Sequence, residues 1–223
     1  MIEELLPNLF VIYSPNEGGN SYLLVGKKNI LIDTSLGKNA PYLKESIEGT
    51  GLKVSDISTI LHTHGHADHF SADYIFPKAE KLMHQHDAEK VNRKDSMFSC
   101  ASLFGEKNFP KITKFLENNQ EITNEPFSLK VIETPGHTKG SVCFYEKKNK
   151  LLFSGDTLFR GSIGRYDLPS SSKQDMLISL KKLLSIDYKI LLPGHATVLK
   201  ERQKENIENA LDYLEKSVEL EQI

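Results

Sequence analysis

The first third of the chain alternates short apolar runs with turn residues, a pattern that predicts strands rather than long helices. LFVIY (9–13) and SYLLV (21–25) read as two strands separated by the Gly/Pro/Asn-rich loop SPNEGGN. NILIDTS (29–35) reads as a third, joined to the second by a hairpin turn at VGKKN. Residues 40–49 have helical spacing stopped by Gly49 and Gly51, and ISTIL (57–61) is a further strand. A helix beginning near residue 69 should run to about 75 and end before Pro77, followed by a strand over 79–83 and a helix over 86–94. Residues 95–125 carry no clear period and predict a surface insertion with a short helix around 111–117.

Strand signals return at FSLKVIET (127–134), GSVCFYE (140–146) and KLLFSGD (150–156). A Gly-rich stretch, 158–172, has no period. Residues 172–186 place Met176, Leu177, Leu180, Leu183 and Leu184 at helical spacing. YKILLPG (188–194) is a last strand and turn, and 200–220 predicts an amphipathic helix with Ile207, Leu211, Leu214 and Val218 on one face. No linker or composition break interrupts the mixture. One α/β domain over 1–223 is expected, with two stacked sheets and helices outside.

Composition narrows the function. With 39% hydrophobic and 26% charged residues the chain is neither disordered nor membrane-embedded, and no apolar run approaches the roughly 18 residues of a membrane span. A net charge of −2 argues against a nucleic-acid partner bound by bulk electrostatics. The acidic start MIEELLPNLFVIYS is unlike an export signal, and two cysteines make no disulfide framework, so a cytoplasmic location is expected. Cys143 sits in a strand and reads as core, whereas Cys100 lies in the insertion and reads as exposed. The sequence carries no signal for oligomeric state.

Histidine is distributed unevenly. A random scatter of the eight histidines would put about 0.3 in any eight-residue window, yet the window from His62 to His69 holds four. Within it, His64-Gly65-His66-Ala67-Asp68-His69 supplies imidazole and carboxylate, the donors that zinc and its neighbours prefer. Alternate residues His64 and His66 point to one side of an extended turn. Asp68 and His69, at a helix start, face a second position, so two neighbouring ions are the natural reading. His137, Asp156 and His195 each follow an apolar run and sit in or beside a Gly-containing turn, as the His64 segment does. Loops at strand ends are where ligands converge in α/β proteins. His62 reads as structural or partly exposed, and His84 follows the 79–83 strand.

Together THGHADH, TPGHTKGS, SGDTLF and PGHA resemble the metallo-β-lactamase fold superfamily, and GDTLFRGSIGRYDLP resembles its glyoxalase II-like (hydroxyacylglutathione hydrolase-like) branch. The resemblance implies an αββα sandwich of two mixed β-sheets flanked by helices. It implies one ion held by His64, His66 and His137, and a second by Asp68, His69 and His195, with Asp156 bridging. Zinc is the expected metal, with iron or manganese as alternatives. Lactam-hydrolysing members typically lack the bridging carboxylate, which argues against antibiotic hydrolysis. Asp33 matches an early Asp that orients the His loop. His86, Arg165 and Tyr166 are candidates for the substrate rim. Relatives often read GRTDLPGG where this chain has GRYDLPSSS, so its loop should differ in shape.

The function so implied is hydrolysis of a small acyl thioester or ester by a hydroxide shared between two ions, with Asp68 as the catalytic carboxylate. The chain ends 28 residues after His195, which leaves room for one helix and not for the glutathione-gripping helical region of full-length glyoxalase II. The alternatives are a mononuclear iron persulfide dioxygenase, which keeps the same histidines, and a lactonase or other hydrolase of the fold.

Overall fold

The computed structural model describes the backbone of residues 1–220 and the side chains as far as Ser217. Two mixed sheets lie face to face. The first contains β1 (Ile2–Leu6), β2 (Leu9–Ile12), β3 (Ser21–Leu24), β4 (Asn29–Ile32), β5 (Ile57–Leu61), β6 (Glu80–His84) and β7 (Lys114–Leu116), ordered as in the chain. Its strands are antiparallel through β4 and parallel from β4 to β7. The second runs β12 (Ile190–Pro193), β11 (Leu151–Gly155), β10 (Val142–Glu146), β9 (Ser128–Glu133) and β8 (Glu121–Thr123), antiparallel except for the β11–β12 pair.

The period-two rule decides which side chains meet. Tyr22, Leu24, Ile30 and Ile32 on the first sheet face Val131, Phe144, Leu151 and Phe153 on the second, and this inter-sheet layer is the central core. The intervening residues face outward. Leu23 and Leu31 pack on α1 (Ala40–Glu48), and Ile132, Cys143 and Leu152 pack on α5 (Lys173–Leu184) and α6 (Gln203–Leu220). Because both faces of β3, β4 and β11 are covered, these strands read as continuous apolar runs rather than alternating ones. The expected αββα architecture is the one observed. Among the described residues no helix is long and apolar enough to cross a membrane.

Several local expectations are corrected. The N-terminal segment forms an edge strand, β1, that was not anticipated, because its Glu-rich, half-exposed IEELL carries no alternation. No helix forms at 111–117. Lys114–Leu116 instead extends the first sheet beside β6, with Leu82↔Lys114 and His84↔Leu116 in register. That pairing is supplied by a partner strand thirty residues away and leaves no local period. A short helix, α4 (Ala101–Phe104), appears earlier in the insertion, preceded by α3 (Gln85–Asn92). The helix expected over 69–75 is α2 (Ala67–Phe70) continued by a tighter turn over Ser71–Ile75. Of the four residues assigned to the apolar face of α6, Ile207, Leu211 and Leu214 are buried, and Val218 lies outside the described side chains.

Phe153 is fully buried between the sheets and meets the Tyr22 ring edge-on, with centroids 5.3 Å apart. Phe153→Ala should lower unfolding free energy by about 3–5 kcal/mol, readable by denaturant titration. A loss below about 1 kcal/mol would mean that this layer is not the core.

Candidate metal centre

Strand direction delivers the site. β4 and β5 run parallel, as do β11 and β12, and β9 shares the direction of β11 because β10 is antiparallel to both. The C-terminal ends of these strands carry Asp33, the His62–His69 segment, His137, Asp156 and His195. A backbone bond from Val142 N–H to Thr63 O, 2.8 Å, ties the two sheets at this edge. The loop bearing His195 is held by Asn20, whose side chain donates to Pro193 O and Ala196 O at 3.2 and 2.8 Å, and by the Tyr22 hydroxyl, which donates to Pro193 O at 2.6 Å.

The seven residues singled out from the sequence come together in three overlapping groups: His64, His66 and His137; His64, His69 and Asp156; Asp68, His69 and His195. The donor atoms of each group lie within 4.8 Å of one another. Asp156 spans the centre. One carboxylate oxygen, Oδ2, lies 3.4 Å from His137 Nε2 and 3.5 Å from His195 Nε2, while Oδ1 lies 3.3 Å from His69 Nε2. Two donors each about 2.0–2.1 Å from one tetrahedral ion stand roughly 3.3 Å apart, and these separations match that spacing.

Outer hydrogen bonds set which ring nitrogen faces inward. His137 Nδ1 can only donate to the Arg165 carbonyl, 2.8 Å away, which leaves the Nε2 lone pair to the centre. His69 Nδ1 donates to Asp33 Oδ2 at 2.9 Å. Asp33 also accepts from Thr63 N–H and the Thr63 hydroxyl at 2.9 and 2.7 Å. With its proton committed to Asp33, the Thr63 oxygen accepts from His64 Nδ1 at 3.1 Å, so His64 too turns Nε2 inward. One buried carboxylate thereby orients two imidazoles. Asp33 adopts φ +56°, a left-handed conformation that Asp tolerates better than most residues. His66 turns its Nδ1 to the centre, 2.8 Å from His137 Nε2, while His64 Nε2 and Asp156 Oδ1 are buried with no hydrogen-bond partner among the described residues. Buried polar atoms are rarely left so, and a cation at the centre would satisfy them. Two glycines make room: a Cβ on Gly19 would fall 2.6 Å from the His69 ring and one on Gly194 2.2 Å from Asp156 Oδ1.

Burial pushes His64 well below the ordinary imidazole value and His66 down to about 3, so both are neutral donors. Burial acts the same way on His69 and His195 but is outweighed by Asp156 and Asp68, which raise both. Burial would raise Asp156, yet the charges of His195 and His69 hold its carboxyl well below the usual range. The Asp68 and Asp156 carboxylates thus favour positive charge on the groups around them, the electrostatic setting that a bound cation needs.

The model of the family described as "Metallo-beta-lactamase superfamily" matches residues 15–195, a span that holds all seven clustered residues. The chain belongs to the metallo-β-lactamase superfamily. A probable metallo-hydrolase of Methanocaldococcus jannaschii is 36% identical over 188 residues, 80% of this chain and 88% of the relative. The hydroxyacylglutathione hydrolase GloC of Haemophilus influenzae is 33% identical over 177 residues, 72% and 77% of the two chains. The crystal structure of TTHA1623 in a di-iron-bound form is 30% identical, with a TM-score of 0.72 over 86% of this chain and 94% of that one. The clusters in this member of the superfamily are consistent with a dinuclear metal site, and the chain is a probable metal-dependent hydrolase.

Within this superfamily member the outer residues are distributed less evenly than expected. Arg165 lines a cavity of roughly 290 Å³ that opens onto the centre. Tyr166 does not. Half-buried, it packs with the α5–α6 layer, with the Lys173 ammonium 5.6 Å from its ring centroid. His86 is exposed, stacks beside His84 and does not line the cavity, because the first turn of α3 turns it to solvent. His62 is fully buried, 3.0 Å from Asp73. Cys100, expected to be exposed, is buried and lines the cavity. Asp87 went unnoticed in the sequence. It accepts from Gly65 N–H, the Thr138 hydroxyl and Gly140 N–H at 2.8, 2.6 and 2.9 Å, and so clamps the His64–His66 turn to the His137 loop. Nothing local marks it beyond an acidic residue in a helix first turn.

Two outcomes test this geometry. Asp33→Asn should keep the fold by circular dichroism but weaken zinc binding about 10–100-fold. Zinc uptake should release protons, and its affinity should fall as pH drops from 7.5 to 6. The reason is that His69 and His195 hold protons above the ordinary imidazole value of about 6.5. Calorimetry in buffers of different ionisation heat reads the released protons, and pH-independent affinity would contradict the arrangement.

Proposed function

We propose that this chain is a dinuclear-metal hydrolase that cleaves a small acyl thioester or ester. The observation that carries the reading is the Asp156 carboxylate, set within 3.3–3.5 Å of imidazoles from both histidine groups. His64, His66 and His137 would hold one ion; Asp68, His69 and His195 would hold the other; Asp156 would bridge them. The donors suit zinc, and the di-iron form of the relative TTHA1623 makes iron the principal alternative. When bound, such a pair lowers the pKa of water toward neutrality and draws charge from a carbonyl oxygen.

The residues of the chain supply the rest. Asp33, through Thr63 and directly, keeps His64 and His69 in the donor tautomer. The Arg165 carbonyl does the same for His137. Asp68, whose Oδ2 lies 3.1 Å from His195 Nε2, is placed to hold the attacking water's proton. A thiolate leaves with little protonation, so a thioester asks less of a general acid beside the centre than an oxygen ester does. The likeness to GloC supports an acyl-thiol substrate.

Purified protein should contain about two metal ions per chain and release thiol from a simple acyl thioester. His64→Ala should reduce that turnover by about a hundredfold or more, since even outer-residue changes cost 10–100-fold. One iron per chain with oxygen uptake on a persulfide, and no thioester cleavage, would replace the reading with the dioxygenase one.

A further inference from the structure

The cavity beside the metal centre differs in chemistry from the centre itself. Beyond the clustered residues its wall is apolar: Leu103 and Phe104 from α4 on one side, with Phe159, Ile163 and Leu168 across the opening. Two charged side chains stand at the rim, and both are already committed. Glu17 pairs with Lys38 at 2.8 Å, and the Arg165 guanidinium forks onto Asp167 at 2.9 and 2.8 Å. Among the described residues no lysine lines the cavity. A substrate arm bearing carboxylates or hydroxyls would therefore meet apolar wall and neutralised ion pairs.

The α4 wall is fixed to the metal-binding helix rather than free. Ala67 N–H donates to Ser99 O at 2.8 Å, and Ala101 and Phe104 pack with Ala67 and Phe70. At the far end Glu106 accepts from Gly37 N–H at 2.8 Å. Left-handed residues flank the helix, Cys100 at φ +55° and Gly105 at φ +68°, and turn it across the opening. In this position Leu103 is left 72% exposed beside the cavity, an apolar side chain that a bound hydrocarbon would cover.

Resting on the hydrolase reading above, we infer that Leu103 and Phe104, with Phe159, Ile163 and Leu168, form a subsite for an unbranched alkyl chain next to the scissile carbonyl. The preferred substrates are then alkyl-bearing thioesters or esters rather than hydroxyacyl thioesters of glutathione. The chain belongs either to the acyl group or to the leaving thiol, and the two are separable.

The experiment compares kcat/KM of the zinc-loaded protein for acetyl, propanoyl, butanoyl and hexanoyl thioesters of one small thiol, and for acetyl thioesters of methane-, butane- and hexanethiol. One of the two series should rise by about fourfold per methylene, the factor for burying a CH₂, and propanoyl should outrun lactoyl. In Leu103→Asp, and more mildly in Leu103→Ser, the hexanoyl-to-acetyl or hexanethiol-to-methanethiol ratio should collapse toward one. Leu103 is exposed, so neither change threatens folding. Binding of acetate, butanoate and hexanoate, and of the matching thiols, is measured in parallel through the Leu103 methyl resonances. Flat series in both rate and binding, or lactoyl outrunning propanoyl, overturn the subsite. Length-dependent binding at Leu103 with no hydrolysis of any ester overturns the hydrolase reading and leaves the subsite standing.

Discussion

The structure turns on the need to keep four buried imidazoles, the half-buried His195 and two carboxylates together with their lone pairs aimed at a common centre. Left alone, buried imidazoles turn to find hydrogen-bond partners, and like lone pairs repel. Here the rotation is prevented from outside. Asp33 holds the His69 ring directly and the His64 ring through the Thr63 hydroxyl, and a backbone carbonyl holds His137. What remains inward is a set of unpaired atoms around the Asp156 carboxylate. A cation is the economical solution to that electrostatic problem.

Sheet direction is the second constraint, and it makes the first achievable. The clustered side chains come from strand ends that lie far apart in sequence, and they meet because β4, β5, β9, β11 and β12 all finish at the same edge of the sandwich. The inter-sheet core, filled by Tyr22, Phe144, Phe153 and their neighbours, fixes the distance between the two sheets and so between the two sets of loops. Asn20 and Tyr22 join core and site by bonding the loop that carries His195. Asp87 does the same between the His64 turn and the His137 loop, and burial pushes its carboxyl above the ordinary value although three donors face it.

Around this rigid centre the chain has built its own surroundings. The insertion between β6 and β8 contributes an edge strand that extends the first sheet and a short helix that walls the cavity. The same insertion buries Cys100 and exposes Leu103. On the opposite rim the Gly-rich stretch turns Arg165 onto Asp167 and sends Tyr166 toward α5 and α6.

What was legible in the sequence was whatever depends on near neighbours. The paired sheets and outer helices follow from short continuous apolar runs such as SYLL and LLFSG, which mark strands covered on both faces, and from the helical spacing of 173–184, because burial of one helix face imposes a period of about 3.6. The candidate donors were legible because His64–His69 concentrates four of them in six residues, and because the strand-to-turn junctions at His137, Asp156 and His195 share one style. The tertiary structure alone decided the rest. Nothing local distinguishes Asp87 from a helix-capping acid, Leu103 from any insertion residue, or His86 as exposed rather than lining the site. Each depends on which segment packs against it across tens of residues, and long-range packing leaves no period in the chain. The edge strands β1 and β7 escaped for the same reason, since short half-exposed strands are defined by their neighbours and not by their own composition.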